Sequence, residues 1–100
     1  MSMEVRLRPR AIDDLVEIFD YVSTENPVAA ARIIDEIEAF CMSSLSDNPH
    51  IGTAKDEIVA GIRIFPVAGY RVCYFVRDSH IDVIRILHQA RDVPRHLRRR

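Results

Sequence analysis

Five arginines, Arg63, Arg71, Arg77, Arg85 and Arg91, fall within the stretch Ile62–Asp92, with His88 among them. Guanidinium groups form fixed, bidentate contacts with carboxylate or phosphate, which the point charge of lysine does less well. Of the fourteen basic residues only Lys55 is a lysine. The aromatic residues Phe65 and Phe75 lie in the same stretch. Arginine mixed with aromatic rings suits a partner that is both anionic and partly apolar. A single-stranded RNA fits, its bases stacking while its phosphates meet guanidinium groups. An acidic protein segment laid along the surface fits as well. The competing expectation is a face covered by the protein's own C-terminal tail.

These residues sit on strands, and alternation sets their faces. Residues 70–77 (YRVCYFVR) form the strongest strand, rich in β-branched and aromatic side chains. Tyr70, Val72, Tyr74 and Val76 share one side; Arg71, Cys73, Phe75 and Arg77 share the other. The arginine-free set is expected to meet the rest of the fold, leaving Arg71 on an open face. Residues 81–87 form the next strand, with Ile84 and Ile86 inward and Arg85 outward. Residues 58–67 form the preceding one, weakened by Pro66, which has no N–H to donate. A two-residue turn at Ala68-Gly69 would set Arg63 opposite Tyr74, on the covered side, where an unpaired charge is costly. A bulge at Pro66 is therefore expected, bringing Arg63 beside Arg71. The predicted open face holds Arg63, Phe65, Arg71, Phe75 and Arg85, with His88 and Arg91 near its end.

The first half of the chain supplies a cover for this sheet. Residues 3–8 alternate apolar and polar, a half-buried strand with Met3, Val5 and Leu7 inward. Pro9 ends it and can open a helix. From Arg10 to about Thr24, Ile12, Leu15, Val16, Phe19 and Val22 form one helical stripe, with Asp13, Glu17 and Asp20 along another side. Asn26-Pro27 caps and opens a second helix running to about Ser44. The short connection makes the two an antiparallel hairpin. Residues 46–56 read as a loop, and Pro94 limits any helix in the tail. The order is β-α-α-β-β-β. It predicts an α+β domain over residues 1–100, with an antiparallel sheet of about four strands and a helix hairpin on one face. The tail, about 93–100, is expected to be loosely held and its terminal arginines solvated.

Composition excludes several classes. No apolar run approaches the ~20 residues of a membrane span, and the start of the chain lacks a secretory h-region, so a cytosolic protein is expected. Cys41 and Cys73 sit in apolar runs and read as buried thiols; no metal-ligand spacing accompanies them, and no cofactor is expected. The net charge of −1 conceals an asymmetry: residues 1–56 carry −6 and residues 57–100 carry +5.

Several segments resemble the ParE-type toxins of the RelE/ParE superfamily, the toxin half of bacterial type II toxin–antitoxin pairs. They are Ala11-Ile12-Asp13-Asp14-Leu15 with Ile18 and Tyr21, then Asn26-Pro27 with Ala30-Ala31-Arg32. Pro49-His50-Ile51-Gly52 and Gly61-Ile62-Arg63 follow. Gly69-Tyr70-Arg71-Val72-Cys73-Tyr74 and His88-Gln89-Ala90-Arg91-Asp92 complete the set. The resemblance covers residues 11–92 and implies the topology derived above. It also implies neutralisation by a cognate antitoxin in a hetero-oligomer, the acidic or amphipathic C-terminal segment of the antitoxin wrapping the toxin. For activity it implies one of two things. ParE-like members act on DNA gyrase and are not known as nucleases. RelE-like members cut mRNA in the ribosome, which needs a base, an acid and charge stabilisation at the phosphate. Arg71 and Arg91 match two basic positions of the nucleases and His88 offers an acid or base, but no tyrosine follows Tyr74 to fill their C-terminal tyrosine role. A non-catalytic, gyrase-directed toxin is the expectation. A nuclease using Arg71, His88 and Arg91, or an inactive relative acting as a binding module, is the alternative.

Overall fold

A computed structural model describes residues 2–91 and 93–98. Strand β1, Glu4–Leu7, ends where Pro9 enters the first turn of α1, Pro9–Ser23. The proline's fixed φ and missing N–H are harmless there. Helix α2, Pro27–Ala39, begins the same way behind Asn26, whose side chain accepts from the Ala29 N–H at 3.0 Å. It continues into a π-helical turn, Phe40–Leu45, that buries Phe40, Cys41 and Leu45 together. The Ser46 hydroxyl then donates to the Met3 carbonyl at 2.6 Å, and the Met3 N–H donates to Ser46 O at 2.9 Å. This ties the end of the helix hairpin to the first strand.

Four further strands follow: β2 (Thr53–Ala54), β3 (Ile62–Val67), β4 (Tyr70–Val76) and β5 (His80–His88). A short helix α3, Val93–Arg98, comes last. The expected α+β architecture is present, with the helix pair on one face of a mostly antiparallel sheet. The sheet has five strands in the order β1-β5-β4-β3-β2. The extra strand is β2, two residues within the segment read as a loop. The direction of β1 also differs from expectation. It pairs parallel to β5, from Glu4 opposite His80 to Leu7 opposite Val83. Since β3, β4 and β5 alternate, β1 and β3 run the same way rather than antiparallel. The connection after the helix hairpin carries the chain across to the far edge of the sheet before β3 begins.

One sheet face packs on α1 and α2 through Phe65, Tyr70, Val72, Tyr74, Ile81, Val83 and Ile86. Met3, Val5 and Leu7 join this core, as their alternation requires. The other face is not open. Ile62, Ile64, Cys73 and Leu87 form a second apolar cluster under Val93 and Leu97 of α3, with Ile58 and Val59 beside them. The chain's own C-terminal segment therefore covers part of the face expected to be free. Pro94 does not prevent α3, because it lies in the first turn, where no intrahelical N–H bond is needed. Residues 99 and 100 of the arginine tail, and Asp92, lie outside the described residues.

Two registers overturn the predicted placement of arginines. The turn at Ala68-Gly69 has two central residues, both with positive φ (53° and 86°), the arrangement of a tight I′ hairpin. Val67 therefore pairs with Tyr70 and Arg63 with Tyr74, with no bulge at Pro66. In such a hairpin Pro66 points its nitrogen away from β4 toward the sheet edge, so no ladder bond is lost. The bulge lies instead in β5. Cys73 pairs with Arg85 and Tyr74 with Val83, which leaves Ile84 unopposed and turns Arg85 toward the helices.

Among the described residues no helix is long and apolar enough to cross a membrane.

Candidate functional site

Asp14 stands on the core-facing side of α1, in line with buried Ala11, Leu15 and Ile18. A carboxylate in that row needs partners, and β5 supplies three donors. Arg85 Nε meets Asp14 Oδ2 at 2.9 Å and Arg85 Nη2 meets Oδ1 at 3.0 Å, a two-pronged contact. The Ile86 N–H donates to Oδ2 at 2.8 Å. The side chains are 14% and 9% exposed for Arg85 and Asp14. The hydrogen bonds to Asp14 raise the Arg85 pKa above its ordinary value, against the opposing effect of burial. This pair joins α1 to the second half of β5.

Beside it opens a cleft of about 490 Å³ between α1 and the end of β5. Asp14, Glu17 and Tyr21 line one wall, and Tyr70, Arg85, His88 and Arg91 line the other. Tyr70 meets the His88 ring edge-on, with centroids 5.3 Å apart; burial, and then the nearby Tyr21, raise the Tyr70 pKa. His88 Nδ1 accepts from the Ala90 N–H at 3.1 Å, so the neutral ring carries its proton on Nε2. Arg91 is exposed, its Nη1 3.4 Å from His96 Nε2. Chemically the cleft is amphoteric: an acid-lined helix faces a rim bearing His88 and Arg91.

The seven residues predicted for one open face occupy three places. Arg63 and Phe65 belong to the helix side. Phe65 stacks on Phe40 with centroids 4.9 Å apart. Arg63 is not unpaired there: its Nη1 donates to the carbonyls of Gly52 at 2.6 Å and His50 at 3.2 Å. Tyr74 completes this clamp, its hydroxyl donating to Pro49 O and accepting from the Gly52 N–H, both at 2.8 Å. Arg71 and Phe75 do lie on the opposite face, with the Arg77 guanidinium 4.5 Å over the Phe75 ring. Arg85, His88 and Arg91 come together at the cleft. The three residues of the alternative nuclease set are thus divided. Arg71 pairs with Leu87 on the α3 side, while His88 contacts Tyr70 on the helix side.

Sequence reasoning missed Asp14, Glu17, Tyr21 and Tyr70 as lining residues. A signal for Asp14 was present, since an acid three residues after Ala11 and four before Ile18 breaks an otherwise apolar row. It also misassigned the α1 stripe. Ile12, Val16 and Phe19, expected in the core, are 49%, 55% and 42% exposed.

The family model for the ParE toxin of type II toxin–antitoxin systems (parDE) matches residues 5–93. The chain belongs to the ParE toxin family. It is 35% identical to Toxin ParE1 of Mycobacterium tuberculosis over 99 residues, which span 97% of this chain and all of that relative. It is 30% identical to Toxin RelE2 of Caulobacter vibrioides over 82 residues, 82% of this chain and 90% of that relative. Its fold matches a chain of the chromosomal ParDE system of P. aeruginosa with a TM-score of 0.72 at 22% identity, covering 87% of this chain and 96% of that one. A chain of the RelBE2 toxin–antitoxin complex of M. tuberculosis matches equally well, at 89% and 100% coverage. The ParE-family match spans the Asp14–Arg85 pair and every residue of the cleft.

Proposed function

We propose that this ParE-family chain is a toxin that arrests DNA gyrase and is held inactive by a cognate antitoxin. Family membership over residues 5–93 carries the reading. The division of Arg71 from His88 across the sheet favours a gyrase-directed toxin over an RNA-cutting one. General acid–base cleavage needs its groups within hydrogen-bond reach of one phosphate, and these two side chains leave opposite faces of adjacent strands. The antitoxin reading draws support from the two solved neighbours named above, which come from toxin–antitoxin systems. On this chain the cleft suits such a partner. Arg91 is an exposed cation at its rim and His88 an exposed hydrogen-bond donor through Nε2; both can take carboxylates from a partner segment, whereas Arg85 is already committed to Asp14. Charge reversal at Arg91 should therefore weaken antitoxin binding more than Arg71→Glu does; isothermal titration with the co-encoded antitoxin checks this, and a larger effect at Arg71 would refute the cleft assignment. The activity itself is tested with purified chain in a gyrase supercoiling assay run beside in-vitro translation.

A further inference from the structure

Strand β1 closes one end of the sheet, and no strand lies along its outer edge. The Arg8 N–H donates to Val83 O at 2.9 Å, which sets the phase of this parallel ladder. Even-numbered residues of β1 turn their N–H and C=O toward β5, and odd-numbered ones turn theirs outward. Met3 follows the same alternation: its N–H and C=O both meet Ser46 at the outer edge. The N–H and C=O of Val5 and Leu7 face outward too, and no hydrogen bond occupies them among the described residues. Four such groups form a template for one more strand. Short length and charged side chains guard an edge of this kind against indiscriminate pairing, and here the charges choose the partner. Val5 and Leu7 lie on the helix side, half-buried against the core. Arg6 and Arg8 are exposed on the other face. Glu4 takes Nε and Nη2 of Arg6 at 3.1 and 3.3 Å and leaves Nη1. Asp82 stands 3.9 Å from Arg8 and is already bonded to Arg77 at 3.1 Å.

A second copy of this chain does not satisfy the edge. An antiparallel pairing that uses all four groups sets Val5 opposite Leu7 of the second copy, and so Arg6 opposite Arg6, where like charges repel. Sliding the copy to bring Glu4 opposite Arg6 puts its Leu7 opposite Met3, whose backbone groups Ser46 has filled. Sliding it the other way sets Arg6 opposite Arg8. We infer that the outer edge of β1 takes an extended segment of the toxin's target in which acidic residues alternate with apolar ones. Its acids meet Arg6 and Arg8, its apolar side chains lie beside Val5 and Leu7, and its backbone pairs with theirs. The inference rests on the gyrase reading above and adds the surface and the partner chemistry by which that target is held. Strand β1 pairs with the first half of β5, from His80 to Val83, whereas the cleft proposed for the antitoxin lies at the other end, beside His88. The two partners thus have separate seats.

Short synthetic peptides that alternate valine with either glutamate or lysine test it, titrated against the full chain by fluorescence anisotropy, with amide hydrogen exchange followed by NMR. In the free chain the Val5 and Leu7 amides should exchange faster than those of Arg6 and Arg8. The glutamate peptide should bind about tenfold tighter than the lysine peptide, the swing of two exposed charge pairs from repulsion to attraction. It should also slow exchange at Val5 and Leu7. Arg6→Gln with Arg8→Gln should erase the preference. Val5→Pro removes one outward N–H without touching the β5 ladder and should weaken the glutamate peptide by about tenfold. Equal affinity for the two peptides, or exchange at Val5 and Leu7 unmoved by the glutamate peptide, would overturn the inference. So would exchange at these amides that slows with rising chain concentration alone, the mark of a second copy on the edge. Gyrase supercoiling separates the two readings. Arg6→Gln/Arg8→Gln should raise the amount of chain needed for half-inhibition about fivefold, the loss of two exposed charge pairs. An unchanged requirement refutes the edge as the target's seat and leaves the gyrase reading standing. No inhibition by the unaltered chain refutes the gyrase reading itself, while the peptides still decide whether the edge takes an acidic strand.

Discussion

Replacing Asp14 by alanine is expected to be among the most damaging single substitutions in this chain. It removes both hydrogen bonds to Arg85 and the one to the Ile86 N–H. Arg85 is left as a charge with 14% of its side chain exposed, so water cannot replace the lost carboxylate in full. Breaking a buried pair from one side costs about 3–5 kcal/mol. The orphaned Ile86 N–H alone would cost about 1–3 kcal/mol, part of the same loss rather than an independent addition. A 100-residue domain has only about 5–15 kcal/mol in total, and each kcal/mol lowers Tm by roughly 4–8 °C. Asp14→Ala should therefore lower Tm by on the order of 15–30 °C, read by circular dichroism, with a matching fall in urea midpoint. The double variant Asp14→Leu/Arg85→Met removes both charges and should be more stable than Asp14→Ala alone. A loss below about 1 kcal/mol for Asp14→Ala, or a double variant no better than the single, would refute the claim that this pair joins α1 to β5.

Other consequences follow from single contacts. Tyr74→Phe deletes the hydroxyl that joins Pro49 and Gly52 and should cost about 1–3 kcal/mol by urea denaturation. Gly52→Ala should cost a comparable amount, because its Cβ would lie 2.8 Å from the Tyr74 Oη and 2.9 Å from Cε1. Burial pushes the thiols of Cys41 and Cys73 up to about 12; in the folded chain both should resist iodoacetamide at pH 8 and react on addition of urea. Asp82 accepts from Arg77 Nε at 3.1 Å and lies 3.1 Å from His80 Nε2. Burial acts to raise its pKa, but the Arg77 hydrogen bond and the charges of His80, Arg8 and Arg77 outweigh it, so the net shift is downward. A lowered carboxyl stabilises the fold fully above its unfolded pKa of about 3.9 and loses that contribution as pH falls through the folded value. Acid titration of stability should thus show a smaller drop below about pH 4 in Asp82→Asn than in the unaltered chain.

Much of this fold was legible because periodicity reports faces. Tyr70, Val72 and Tyr74 met the helices as their alternation required, and Pro9 and Asn26-Pro27 marked both helix starts. Periodicity does not report strand neighbours, so the parallel seat of β1 beside β5 was hidden. It also fails at a bulge, where one extra residue transfers the following side chains to the other face. Ile84 did this to Arg85. Arg63 was misplaced for a different reason. Charge was assumed to avoid the helix side, but the carbonyls of His50 and Gly52, more than ten positions earlier, satisfy it. Asp14 and Arg85 lie 71 positions apart. Pairings of that separation exist only in the folded chain, and they decided which arginines remained available at the cleft.

The proposed target is gyrase and not RNA. Supercoiling of relaxed plasmid by purified gyrase, with increasing amounts of this chain, tests it directly. A gyrase-directed toxin should give dose-dependent loss of supercoiling, reversed by equimolar antitoxin, with mRNA left intact in a parallel translation reaction. Undiminished supercoiling together with ribosome-dependent mRNA cuts that vanish in Arg71→Ala or His88→Ala would contradict it.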